Sequence, residues 1–172
     1  METLLARPLR AEDYARYGDV LEAHPRGAAG KPANEGTARR FDRVAAFRNL
    51  RPGAAEPNLA VFRCAPCWTW PMPIALLEKH PASTQVFVPL NAQRYLVVVA
   101  LGGDAPDLGT LAAFVAQGTQ AVSYHPGVWH HPMIALDTEI DFVCLVCEDG
   151  SETDCTVVRY APAARIPVSL GG

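Results

Sequence analysis

From about residue 58 onward the chain is a succession of short apolar, β-branched runs, each closed by proline or glycine, and that rhythm leaves few folds open. The runs are Asn58–Cys64, Gln85–Leu90, Arg94–Leu101, Ala121–His125, Pro132–Leu136, Ile140–Glu148 and Cys155–Tyr160. Strands at this spacing predict an antiparallel sandwich or barrel rather than βαβ units. Within this region only Asp107–Ala116 reads as helical, with Pro106-Asp107 as its start signal and Gly118 just past its end. A second short helix is expected over Ala11–Tyr17, where Gly18 stands at the place of a left-handed stop. Gly, Ala, Pro and Lys without any period between Ala23 and Asn34 read as a surface loop or lid. The expected fold is therefore all-β, with a few short helices.

At 172 residues the chain suits one domain spanning 1–172, and a chain of this size buries roughly 70% of its unfolded surface. Its 49% hydrophobic and 19% charged residues, with a formal charge of −3, supply no electrostatic reason to bind nucleic acid or an anionic membrane. A small molecule is the expected partner. The N-terminal segment interrupts its apolar residues with charge and proline, unlike a signal peptide. The apolar run Tyr95–Leu101 falls far short of the about 20 residues that span a bilayer. Five cysteines, an odd number, point to reduced thiols and a cytoplasmic setting. Cys64/Cys67 and Cys144/Cys147 are not expected to form a zinc site, because residues three apart in a strand face opposite sides. Each reads as a small buried hydrophobe.

Four of the five histidines lie in two segments, Leu77–Gln85 and Tyr124–Pro132. In an extended strand Glu78 and His80 project to the same face, and Gln85 can join them after a bend. Pro126-Gly127 is a hairpin signal that delivers His130 or His131 to the start of the next strand, and only one of that adjacent pair should enter a site. These spacings resemble the two metal-binding motifs of cupin barrels, with Glu78 replacing the first histidine, Gln85 replacing the acid, and Gly127-Val-Trp-His130 intact. Glu78, His80, Gln85 and His130 form a mixed N/O set suited to Ni, Mn, Fe or Zn. On spacing alone, such residues can equally be hydrogen-bonded core or surface groups.

A longer string carries more. Leu77-Glu78-x-His80-Pro81-x-x-Thr84-Gln85-x-Phe87-x-Pro89 is followed by Val97–Gly102, Pro106-Asp107-Leu108 and Tyr124-His125-x-x-Val128-Trp129-His130-His131-Pro132. In this order and spacing it resembles the ureidoglycolate lyase family, and the likeness runs from Tyr17-Gly18-Asp19-Val20 to Asp141-Phe142. The resemblance implies a cupin-like β-barrel or sandwich and a homodimeric cytoplasmic enzyme of allantoin and purine breakdown. The implied reaction converts (S)-ureidoglycolate to glyoxylate and urea, with a divalent metal, nickel in particular. Asn34, Arg40 and Arg63 match positions of the family pattern, whereas Ala75 and Asp42 stand where histidine is expected.

In the implied scheme, Glu78, His80, Gln85 and His130 hold the metal. His125 protonates the departing nitrogen, Arg40 or Arg63 clamps the carboxylate together with Asn34, and Trp129 lines the pocket. Without a metal, Glu78 would be the base. The competing readings are a non-catalytic metabolite-binding cupin and a metal-dependent cupin oxygenase or isomerase. The arginines from Arg39 to Arg51 can also simply solvate a surface strand or pair across an interface.

Overall fold

A computed structural model describes residues 2–23 and 27–171. Two sheets carry almost all of it. The larger runs through β15 (Thr156–Arg159), β7 (Leu76–Lys79), β12 (Trp129–His130), β9 (Arg94–Gly102), β10 (Pro106–Gln117), β1 (Leu4–Pro8), β16 (Ile166–Leu170) and β6 (Met72–Ile74), with β13 (Ile134–Ala135) also paired to β9. The smaller runs through β2 (Val20–Leu21), β11 (Ala121–Tyr124), β8 (Gln85–Pro89), β14 (Ile140–Glu148) and β5 (Glu56–Cys64). A hairpin of β3 (Lys31–Ala33) and β4 (Ala38–Arg40) stands apart. Pairing is antiparallel except where β1 meets β10 and β16. This is the all-β, largely antiparallel sandwich expected from the runs, and every run named above falls on a strand.

The reason lies in β9. Tyr95, Val97 and Val99 face the smaller sheet and pack with Phe87, Tyr124 and Phe142, where Tyr95 and Phe142 meet edge-on at 5.2 Å. Leu96, Val98 and Ala100 face the other way and pack with Ile74, Leu77, Trp129 and Val168. A strand buried on both faces must be apolar at consecutive positions, which is why Tyr95–Leu101 does not alternate. Burial of each large apolar side chain here contributes about 1.5–3 kcal/mol.

The expected helix over Asp107–Ala116 is instead the long strand β10, paired with β9 from Ala112↔Val99 to Gln117↔Arg94. Alanine is the best helix former, but propensity is a small energy per residue, and pairing with a doubly buried neighbour overrides it. The strand is buried on both faces there: Ala112 and Phe114 enter one core, and Ala113 the other. Gly118 is not a helix stop; a Cβ there would lie 1.8 Å from the Ala92 carbonyl oxygen.

The N-terminal helix is present but short, α1 (Ala11–Tyr14). Tyr14 anchors it, fully buried and donating its hydroxyl to the Ser123 carbonyl at 3.0 Å. Gly18 lacks the left-handed conformation expected of it, and its role is close approach: a Cβ would sit 1.8 Å from the Ser123 oxygen. Of the loop expected over Ala23–Asn34, His24, Pro25 and Arg26 lie outside the described residues, and Lys31–Ala33 forms a strand rather than a loop.

Because Ser123 is backbone that cannot yield without unseating α1, Gly18→Ala is expected to cost about 1–3 kcal/mol or more. At about 2–4 °C per kcal/mol for a chain of this size, calorimetry should show a clear fall in melting temperature. An unchanged value would contradict the packing described.

Candidate metal centre

Alternation along β7 sends Leu77 into the outer core, so Glu78 turns toward the space between the sheets. His80 follows at the turn after the strand. β12 lies between β7 and β9 with His130 opposite Glu78 on one side and Val99 on the other. That register brings the two segments together: His130 Nε2 lies 3.7 Å from Glu78 Oε1, and the His80 and His130 rings stack at 5.8 Å and 16°. Among the described residues this is the one group whose ligand atoms, from Glu78, His80 and His130, lie within 4.8 Å of one another. Gln85, at the start of β8, lines the same hollow.

The hydrogen-bond inventory shows what these groups lack. His130 Nδ1 lies 3.0 Å from the Val128 carbonyl, which can only accept, so Nδ1 carries the proton and the neutral ring presents a lone pair at Nε2. That Nε2, His80 Nδ1 and Gln85 Oε1 are all buried without a partner. Gln85 spends its amide donor on Cys144 Sγ at 3.5 Å, leaving its oxygen toward the hollow. Buried polar atoms are normally satisfied, and three convergent orphans beside a carboxylate are the donor set of a cation site. The residues therefore fit a divalent metal.

Electrostatics agree. Burial, helped by the neighbouring His80, pushes His130 down to about 3, and burial likewise lowers His80. Both imidazoles stay neutral, the state a ligand needs. Burial raises the Glu78 carboxyl above the usual range, against the pull of Arg159. The Tyr124 ring stacks on His130 at 4.0 Å and 6°, fixing its plane.

The hollow has a volume of about 260 Å³. Glu78, His80 and Gln85 line it together with Asn58, Phe62, Met133, Cys144, Glu148 and Cys155, whereas His130, almost wholly buried, is not itself one of its lining residues. No lysine or arginine lines it. Burial pushes the Cys144 thiol up to about 12 and Cys155 to about 11, so both stay protonated and serve as lining.

Other expected site residues lie elsewhere. Trp129, next to His130, necessarily faces the opposite side; it is fully buried in the outer core, donates its indole N–H to the Gly103 carbonyl, and is not a wall of the hollow. His131 is absent from the cluster, as expected for one of two adjacent histidines. His125 does not line the hollow, although its Nδ1 is buried without a partner. Arg63 neighbours Phe62 on β5 and points outward, doubly hydrogen-bonded to Asp141 at 2.8 and 2.9 Å. Arg40 pairs with Asp42 and lines a separate open groove of about 950 Å³ with Lys31, which shares no residue with the hollow. Asn34 lies in a 3-10 turn at the tip of the β3–β4 hairpin. The four-cysteine site does not form; all five thiols are free.

Several wall residues escaped the sequence reading. Cys144, Val146 and Glu148 follow from alternation along β14 once Phe142 is known to face inward, and register then adds Asn58, Ala60 and Phe62. Cys155, beyond a turn, carried no such signal.

A model of the family described as ureidoglycolate lyase matches residues 1–167. The chain belongs to the ureidoglycolate lyase family. It is 38% identical over 157 residues to a ureidoglycolate lyase of Pseudomonas fluorescens, covering 90% of each chain. It is 37% identical over 155 residues to one of Pseudomonas putida, again covering 90% of both. Among solved structures, a dTDP-4-dehydrorhamnose 3,5-epimerase from Elizabethkingia anophelis is 12% identical, with 66% of each chain covered and a TM-score of 0.41. That likeness is too slight to bear on the site.

The depressed imidazoles make metal-free stability depend on pH. Between about 3 and the unfolded value near 6.5 the unfolded chain binds more protons at His130, so stability falls as pH drops through 6.5. His80 acts in the same direction, whereas Glu78, with its pKa raised, acts oppositely. Urea denaturation of chelator-treated protein is expected to lose about 1 kcal/mol from His130 between pH 6.5 and 5.5, with His80 adding to the loss in the same direction. His130→Gln should flatten this slope; an equal slope in that variant would contradict the buried neutral ring.

Proposed function

We propose that the chain is an enzyme that cleaves ureidoglycolate to glyoxylate and urea in the hollow between the sheets. The observation that carries this is the convergence of Glu78, His80, Gln85 and His130, three of them with orphaned donor atoms, in a chain that belongs to the ureidoglycolate lyase family. The hollow suits a small hydroxy acid. Its walls also argue for a cation: an anionic substrate would meet Glu78 and Glu148 and no lysine or arginine, so a bound divalent ion is the charge that balances it.

Glu78, His80, Gln85 and His130 would hold that ion, nickel first, with Mn, Fe or Zn as other occupants of an N/O set. Such an ion supplies acidity to a hydroxyl, as it does to a bound water. The rest falls to the chain. His130, its Nδ1 fixed by Val128 and its plane by Tyr124, presents Nε2 without reorganising. Glu78 has two oxygens, and its raised pKa suits it to take the hydroxyl proton of the substrate. As that O–H bond breaks, its electron pair forms the aldehyde carbonyl, and the C–N bond breaks with its pair going to nitrogen. The nitrogen needs one proton to leave as urea, and the proton held by Glu78 is available, so the reaction is proton-neutral. His125 is not needed for this step.

The family resemblance supports the (S) substrate and a place in allantoin and purine breakdown. The five unpaired thiols suit the reducing cytoplasm, and no helix among the described residues is long and apolar enough to cross a membrane. A homodimer is in keeping with β5, an edge strand whose outward Leu59 and Val61 are 70% and 66% exposed.

Glyoxylate and urea should appear in equal amounts from ureidoglycolate, and both should vanish with chelator and return with nickel(II). His130→Ala and Glu78→Gln are expected to lower kcat by about 100-fold or more. Tight binding of ureidoglycolate without either product would instead identify a non-catalytic binding protein, and oxygen uptake would identify an oxygenase.

A further inference from the structure

One arginine of the Arg39–Arg51 cluster behaves unlike the rest. Residues Arg48–Leu50 run alongside Ala82–Thr84, just past His80: Leu50 N donates to the Ala82 carbonyl at 2.7 Å, and Thr84 N to the Arg48 carbonyl at 2.9 Å. Asn49 and Ser83 form a bridge between them. This strap carries Arg51 across to the turn between β14 and β15. There its guanidinium donates Nη1 to Asp149 at 2.6 Å and to Thr153 at 3.1 Å, and Nη2 to Asp154.

Asp154 is the hub of that turn. Its carboxylate also accepts the backbone N–H of Gly150 at 2.7 Å and of Asp149 at 3.1 Å, and it is buried. The next residue, Cys155, is a wall of the hollow, and Thr156 after it pairs with Lys79, the residue just before His80. His80 is thus gripped at two levels by one clasp. The strap fixes the chain just after it, and the turn that the strap's own arginine fastens leads into β15, which pairs with β7 up to Lys79, just before it. The ring held between them keeps Nδ1 buried without a partner.

We propose that Arg51 and Asp154 are a positioning pair for the metal centre, acting through the strap and β15 to hold the backbone on both sides of His80 and so set its ring beside Glu78 and His130. Neither side chain touches substrate. Partners behind a ligating histidine fix which nitrogen it presents, and their loss weakens metal affinity about 10–100-fold. The Arg94–Asp137 pair supplies the comparison: it is an equally well-formed double contact, at 2.7 and 2.9 Å, and none of its atoms approaches the hollow.

The inference rests on the metal reading above, and nickel(II) titration by calorimetry separates the two. Wild type, Arg51→Met, Asp154→Asn, the double variant and Arg94→Met would each be titrated at 25 °C, after circular dichroism confirms the fold. Arg51→Met and Asp154→Asn are expected to weaken nickel binding about 10-fold or more, with the double variant little worse than either. Arg94→Met should lower the melting temperature while leaving the affinity unchanged. Asp154→Asn keeps the shape of the turn and covers the case in which Arg51→Met fails to fold. Unaltered affinity in folded Arg51→Met or Asp154→Asn, with wild type binding normally, would overturn the positioning role alone. A wild type that binds neither nickel(II), manganese(II) nor zinc(II) would overturn the metal reading and this inference with it.

Discussion

A two-residue strand holds the site together. β12 contributes only Trp129 and His130, yet it is wedged between β7 and β9, and its pairing of His130 with Glu78 is what joins two segments some fifty residues apart in sequence. Because side chains alternate along a strand, a slip of one residue would drive the indole into the hollow and the imidazole into the outer core. Trp129 prevents this. Its complete burial, its hydrogen bond to Gly103, and Lys79 lying 4.7 Å over its ring all fix the register from the side opposite the chemistry. The His131 N–H bonded to the Val98 carbonyl continues the lock. The residue expected as a pocket wall is thus the anchor that places its neighbour.

The same register explains the electrostatics. Pressing His130 against Tyr124 and away from water keeps the ring neutral, and giving its Nδ1 proton to Val128 leaves one lone pair with one direction to point. Burial acts oppositely on Glu78, raising its affinity for a proton. Neutral nitrogen donors, a carboxylate that readily exchanges a proton, and walls without a fixed cation form a consistent arrangement. Under the function proposed, it would accept a divalent ion and a small anionic hydroxy acid together better than either alone.

Much of this was legible in the chain. The i, i+2 relation of Glu78 and His80 and the Pro-Gly turn before His130 are local signals, and the structure realises them because strands preserve alternation. Where tertiary context decides, reading the sequence fails in identifiable ways. The Asp107–Ala116 segment becomes a strand because it pairs with β9 and sends side chains into both cores. Gly18 and Gly118 are glycines for want of space against Ser123 and Ala92, not for a left-handed turn. Arg40 and Arg63 match family positions, yet nearby Asp42 and Asp141 engage them outside the hollow. Glu148, Cys155 and the Arg51–Asp154 clasp depend on which strands neighbour which, information no local pattern contains.

The central claim is that imidazoles from two distant stretches of chain meet at one ion. X-ray absorption at the nickel edge of the loaded protein addresses it directly, by comparing wild type with His80→Ala and His130→Ala. The expected result is outer-shell scattering from two imidazole rings in wild type and from one in either variant. Spectra that do not change when either histidine is removed would contradict the account.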